Sequence, residues 1–198
     1  GYNERNQLVS VTGAGGDSSF RYDADGRITQ RTDVAGTASY SWSANGQLYQ
    51  VADPVTGNTT TYTWAAPGTA HAGALSTVSW SGVSRTYGYD SLDRLVSDTV
   101  AGSSGTIWSA AYAYDTAGRV ASKTVAPAGV AGAGTHSYGY DLAGELTSWT
   151  DPAAVTTAYG WDDAGNRTSS GSTVVVFDER NRVVSEGTKS YDWSARGT

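Results

Sequence analysis

The 198-residue chain has no cysteine, which excludes disulfides, thiol catalysis and Cys-ligated metals. It also has no methionine and begins at Gly1, which reads as a fragment or processed piece of a longer protein. Proline is scarce, at four residues, and phenylalanine scarcer, at two. No apolar run is long enough to cross a bilayer, and no signal peptide is visible. The few basic residues are nearly all Arg and are scattered rather than clustered. With a net charge of −6, binding along a nucleic-acid backbone is excluded as an expectation.

What is abundant is glycine, serine, threonine and one kind of ring. There are 13 Tyr and 7 Trp, so most of the large apolar area comes from rings with a polar tip. These rings fall in a repeat. Its second aromatic recurs at Tyr2, Tyr22, Trp42, Trp64, Tyr89, Tyr114, Tyr140, Trp161, Phe177 and Trp193, at intervals of 16 to 26 residues. The unit reads aromatic-x-aromatic-Asp-x-x-Gly-Arg-aliphatic, followed by a Ser/Thr-rich tail.

The spacing of two, as in Tyr87/Tyr89 and Tyr138/Tyr140, puts both rings on one face of a strand, whereas a helix would separate them. Next comes a turn with Asp first and Gly fourth: Asp23 to Gly26, Asp115 to Gly118, Asp141 to Gly144 and Asp162 to Gly165. Ser43 replaces the Asp before Gly46. The carboxylate accepts a hydrogen bond from the backbone two residues on, and the Gly takes positive φ, closing a type I turn with a bulge. At Asp90 and Asp178 the Gly is missing, and Asp93 and Asn181 stand in its place, residue types that tolerate the left-handed region. An aliphatic then starts the return strand: Ile28, Leu48, Leu95, Val120, Leu146, Val183. Asp33, Asp53 and Asp151 mark the links to the next hairpin.

One unit is a β-hairpin. Residues 1–198 thus read as a single all-β array of about ten antiparallel hairpins, cut at both ends, forming one continuous sheet. The expected cohesion is a ladder of rings packed strand to strand, each good pair contributing roughly 0.2–1 kcal/mol.

The segments "YDADGRI" at Tyr22, "YDSLDRL" at Tyr89, "YDTAGRV" at Tyr114, "YDLAGEL" at Tyr140, "WDDAGNR" at Trp161 and "FDERNRV" at Phe177 resemble the YD repeats of the RHS/YD-repeat superfamily. The resemblance covers essentially the whole chain. It implies a curved or spiralling sheet, an open arc of a hollow shell, as in bacterial polymorphic toxins, Tc-toxin components, wall-associated proteins and teneurins. It implies a non-enzymatic structural segment of a large secreted or cell-surface bacterial protein. The implied partners are the remainder of the shell and an enclosed C-terminal effector. The unit at Tyr62 and Trp64 departs from the pattern, reading "YTWAAPGTAHAGAL" with Ala65 where the turn Asp would stand.

No catalytic constellation emerges from the sequence. The Asp residues sit at turn starts, and the adjacent pair Asp162-Asp163 diverges on a hairpin. "DADG" at Asp23 opens like a calcium loop but lacks the closing Glu. His71 and His136 stand singly in linkers, without partners at metal-ligand spacing. No cofactor or metal is expected. The structural repeat positions are Tyr22, Asp23, Gly26, Trp42, Gly46, Tyr89, Asp90, Tyr114, Asp115, Gly118, Tyr140, Asp141, Gly144, Trp161, Asp162 and Gly165. The alternative is a cell-wall or carbohydrate-binding module in which Trp42, Trp64 and Trp161 stack on sugars. Unpaired strand edges also allow self-association.

Overall fold

A computed structural model describes residues 1–194 and 196 of the chain. Among them every regular element is a strand. They divide into two compact units, Gly1–Ser109 and Ala110–Thr198.

In the first unit the short β1 (Ser10–Val11) precedes four hairpins. These are β2 (Ser18–Tyr22) with β3 (Ile28–Asp33), β4 (Gly36–Trp42) with β5 (Leu48–Ala52), β6 (Thr59–Trp64) with β7 (Leu75–Trp80), and β8 (Val83–Tyr89) with β9 (Leu95–Gly102). Each strand pairs antiparallel with the next, making a meander. Strand β10 (Gly105–Tyr114) runs across the unit boundary.

The second unit continues with β11 (Val120–Ala126), β12 (Gly134–Tyr140), β13 (Leu146–Thr150), β14 (Thr156–Trp161), β15 (Arg167–Ser170), β16 (Thr173–Phe177), β17 (Val183–Glu186) and β18 (Lys189–Ser190). These also pair in sequence, all antiparallel. The all-β, antiparallel hairpin-repeat fold expected from the sequence is the one the chain adopts. One local reading is corrected: His136 lies within strand β12, not in a linker.

The register sorts side chains onto two unlike faces, because successive residues of a strand point to opposite sides. One face carries the rings and aliphatics, with cross-strand partners Tyr40 and Val51, Tyr62 and Val78, and Tyr138 and Trp149. The other is built largely of small hydroxyl residues: Thr32 opposite Thr37, Thr61 opposite Ser79, Thr77 opposite Thr86, Ser137 opposite Thr150. Hydroxyls bond across it, as between Thr124 and Thr135 at 2.9 Å and Thr150 and Thr156 at 2.8 Å. The residue between the two rings belongs to this second face. Where it is Gly88 or Gly139, the opposing Ser97 or Ser148 hydroxyl fills the space a Cβ would need.

Little is fully buried. Among the described apolar residues, only Ala110, Val125 and Val175 are. Asp98 is buried as well, on the ring face, and the Arg85 guanidinium grips it through two hydrogen bonds of 2.8 and 2.5 Å. Such bidentate, charge-assisted pairing offsets the cost of desolvating the carboxylate. With so small a core, cohesion must come from contacts between neighbouring repeats.

Candidate functional site at the junction between repeats

The turn is built by its Asp. Asp115 Oδ1 accepts from the backbone N–H of Ala117 and of Arg119, both at 2.9 Å, while Oδ2 accepts from Arg119 Nε at 2.8 Å. Asp23 binds Asp25 and Arg27 in the same way, Asp90 binds Leu92 and Arg94, and Asp178 binds Arg180 and Arg182. At Asp162 the fifth residue is Asn166, whose Nδ2 replaces the guanidinium at 2.9 Å. At Asp141, Oδ1 accepts from the backbone N–H of Glu145 at 2.9 Å, and the Glu145 side chain offers no guanidinium for the clamp.

These bonds act on the carboxyls' acidity. Hydrogen bonds from the Arg182 side chain and backbone bring Asp178 down to about 2. The Arg94 side chain likewise lowers Asp90, the Arg119 backbone and side chain lower Asp115, and Asn166 lowers Asp162. Glu145 moves the other way, raised first by desolvation and then by the charge of Asp141.

The backbone closes through Gly118 N–H to the Asp115 carbonyl at 3.0 Å and Asp115 N–H to the Arg119 carbonyl at 2.8 Å. Gly118 has φ of 81°, and Gly26, Gly46, Gly144 and Gly165 hold the same place at 83°, 77°, 91° and 78°. Asp93 and Asn181 occupy that place with φ of 59° and 57°. The strand register then shifts by one residue just before the second ring, at Tyr22, Trp42, Trp64, Tyr89, Tyr140, Trp161 and Phe177.

The second ring spans the junction. Its polar tip donates to the backbone carbonyl of the aliphatic residue that follows the preceding turn. Tyr22 Oη reaches Leu8 at 2.7 Å, Trp42 Nε1 reaches Ile28 and Trp64 Nε1 reaches Leu48 at 2.8 Å, and Tyr89 Oη reaches Leu75 at 2.8 Å. In the second unit Tyr140 reaches Val120 at 3.0 Å, Trp161 reaches Leu146 at 2.9 Å and Trp193 reaches Val183 at 2.7 Å. These carbonyls lie before the point where the next strand's pairing starts: β3 pairs with β4 only from Gln30 onward, and β13 with β14 only from Ser148. The ring tip satisfies an acceptor the ladder leaves open.

The ring ladder expected from the sequence is replaced by a different stack. Among the described residues, rings meet in the pairs His71 with Tyr89 and His136 with Trp149. Second rings of successive repeats sit two strands apart, roughly 9–10 Å, which is too far for direct packing. The turn arginine fills the gap. Arg27 lies 5.8 Å from the Trp42 ring centre, Arg119 4.8 Å from that of Tyr140 and Arg182 5.7 Å from that of Trp193. Arg119 also donates to the Asp141 carbonyl of the following turn at 2.7 Å.

Sequence reasoning missed both links, and the signal for the first was the preference for Tyr and Trp over Phe, which keeps a donor on the ring. The three tryptophans considered for sugar stacking, Trp42, Trp64 and Trp161, are half-buried and have their indole N–H groups engaged as described. The carboxylates of "DADG" both hold Arg27. Among the described residues no three His, Asp or Glu side chains converge in a way that could hold a metal, and no buried side-chain polar atom lacks a hydrogen bond.

With the geometry in view, the chain compares well with one family. The Teneurin YD-shell sequence profile matches residues 61–198, and the RHS Repeat profile matches residues 2–38. The chain belongs to the Teneurin YD-shell family. The YD-shell fold is also found in solved toxin structures. A crystal structure titled TcdB2-TccC3-TEV superposes with a TM-score of 0.72 at 18% identity, over 99% of this chain and 14% of that one. The Photorhabdus luminescens Tc holotoxin pore gives 0.65 at 16% identity, over 92% of this chain and 11% of that one. At these identities the likeness is one of fold, and the chain spans about one-eighth of such proteins. No curated protein sequence matches it. As a YD-shell segment, the chain belongs to a structural class, and its recurring residues are those of the repeat junction.

Proposed function

We propose that this YD-shell segment is a non-catalytic stretch of wall that helps to enclose or present a C-terminal effector within a larger, secreted or surface-exposed bacterial protein. One observation carries the reading: the residues that define the repeat are engaged in joining one repeat to the next. The Asp closes the turn, the Arg it holds covers the following ring, and that ring's tip caps a carbonyl of the preceding repeat. A wall needs such nearest-neighbour coupling, because each hairpin alone is marginally stable. The implied partners are further repeats and the enclosed chain.

Negative-stain electron microscopy of the parent protein tests the reading, together with limited proteolysis of its C-terminal segment. A hollow body, with that segment resistant to protease until the shell is opened, is the expected result. A solid particle, or a segment cleaved as fast as an exposed tail, overturns it.

A further inference from the structure

One junction breaks the pattern at three adjacent points. After Asp162 the usual Arg-aliphatic pair is replaced by Asn166-Arg167, which moves the cation one residue along the chain. Asn166 takes over the Asp162 carboxylate and also bonds Asn181 Oδ1 at 3.1 Å. Arg167 therefore stands outside the turn clamp. It is exposed, and among the described residues no hydrogen bond or ion pair engages its guanidinium. The third change is Phe177, which has no polar tip, so the bond that Trp161 makes to Leu146 has no counterpart from Phe177 to the Arg167 carbonyl.

The consequence is a groove of about 250 Å³ on the ring face, lined by Trp161, Arg167, Val175, Phe177, Val183 and Glu186. Small-molecule sites usually run from about 300 to 1,000 Å³, so this one suits a single large side chain. Its floor is aromatic and aliphatic, with an unengaged cation at Arg167. Glu186 opposes a second anion and accepts from Tyr191 Oη at 3.4 Å.

We propose that this groove is a docking site for an extended peptide. A large apolar side chain of the peptide enters over Phe177 and Val183, and a carboxylate two residues earlier, on the same face of the extended chain, pairs with Arg167. The charge complementarity of Arg167 selects an acidic neighbour over a basic one. The site does not require that the parent protein enclose an effector: a peptide-binding groove and a solid parent particle are compatible results.

The test uses the full 198-residue chain and three blocked peptides: acetyl-Asp-Gly-Leu-amide, acetyl-Lys-Gly-Leu-amide and acetyl-Asp-Gly-Gly-amide. Binding is read from ¹H–¹⁵N shifts at the Arg167 side chain and the Val175 and Val183 amides. The acidic leucine peptide is expected to bind in the millimolar range. The lysine peptide, and the acidic leucine peptide on Arg167→Gln, should each bind about tenfold more weakly. Phe177→Trp supplies the ring type used at other junctions. It fills the groove and returns a donor to the Arg167 carbonyl, so the protein remains folded and binding is lost. Equal binding of the acidic and lysine leucine peptides, undiminished binding by Phe177→Trp, or no shift with the acidic leucine peptide at about 10 mM (roughly −3 kcal/mol) overturns the proposal.

Discussion

The indole N–H of Trp42 donates to the carbonyl of Ile28 at 2.8 Å, joining residues fourteen positions apart in sequence on neighbouring strands. Tyr22 Oη makes the equivalent bond to Leu8, and Tyr22→Phe keeps the ring and removes only that bond. A neutral hydrogen bond of this kind contributes about 0.5–1.5 kcal/mol, so the variant should lose about that much stability. Urea denaturation would measure it, and Trp42→Phe should lose more, because it removes the equivalent bond to Ile28 and also part of the ring beneath Arg27. No loss in either variant would mean the tips add nothing to cohesion.

Gly118 closes its turn at a φ of 81°, in the left-handed region that a β-branched residue rarely adopts. Gly118→Val should cost roughly 1–3 kcal/mol, whereas Gly118→Asn, the residue type found in the equivalent place at Asn181, should cost clearly less. Thermal melts of the two variants side by side would show the difference, and equal melting temperatures would contradict the turn's dependence on φ.

Acid should loosen the turns in a defined window. Asp178 titrates at about 2, below the ordinary 3.8, because of Arg182, and Asp90, Asp115 and Asp162 are also lowered. A carboxyl depressed in the folded state contributes stability above its unfolded value, and that contribution fades as pH falls through the folded value. Melting temperature should therefore drop between about pH 4 and pH 2. Arg182→Gln should shrink the Asp178 share of that drop; a pH profile unchanged by the substitution would exclude the pair as a contributor.

Glu145 occupies the position where other turns carry Arg, and burial and Asp141 raise its pKa. A raised carboxyl opposes folding when ionised, so its adverse effect is greatest at neutral pH and disappears as pH falls below the unfolded value. Glu145→Arg should rebuild the clamp on Asp141 and raise the melting temperature at pH 7 by about 1–3 °C. The gain should shrink in high salt. A lower melting temperature would show that the turn has adapted to the acid.

Asp93 takes the left-handed place at φ 59°, and its carboxylate contacts His71 Nδ1 at 2.5 Å. His71 comes from the expanded loop at Ala65 to Ala74, which closes where the previous unit lost its Asp-x-x-Gly turn. Two departures from the repeat thus meet in space. A double-mutant cycle of His71→Ala and Asp93→Gly should show coupling of about 0.3–1 kcal/mol, while strictly additive effects would mean the contact is incidental.

Much of the hairpin was legible because its determinants are local. The Asp115–Arg119 clamp spans four residues, the Gly118 turn four, and the ring alternation of Tyr112 and Tyr114 two. Interactions of that range follow from chain geometry whatever the rest of the fold does. The pattern also carried the likeness to YD repeats, and the family match covers the same residues.

The junction lay beyond such reading. The ring tips reach back 14 residues from Trp42, 16 from Trp64, 20 from Tyr140 and 10 from Trp193, so no fixed spacing reveals the partner. Loop length varies between repeats, while the distance between neighbouring strands is held at about 4.8 Å by the hydrogen-bond ladder. The amino-acid sequence by itself determined the hairpins, the turns and the choice of Tyr or Trp at the second ring. Only the tertiary structure decided which carbonyl each ring caps, that arginine rather than another ring fills the gap between repeats, and that the shift from Arg-aliphatic to Asn166-Arg167 opens a groove beside Phe177. The physical reason is that those contacts are set by strand spacing and register, which the ladder fixes, and not by separation along the chain.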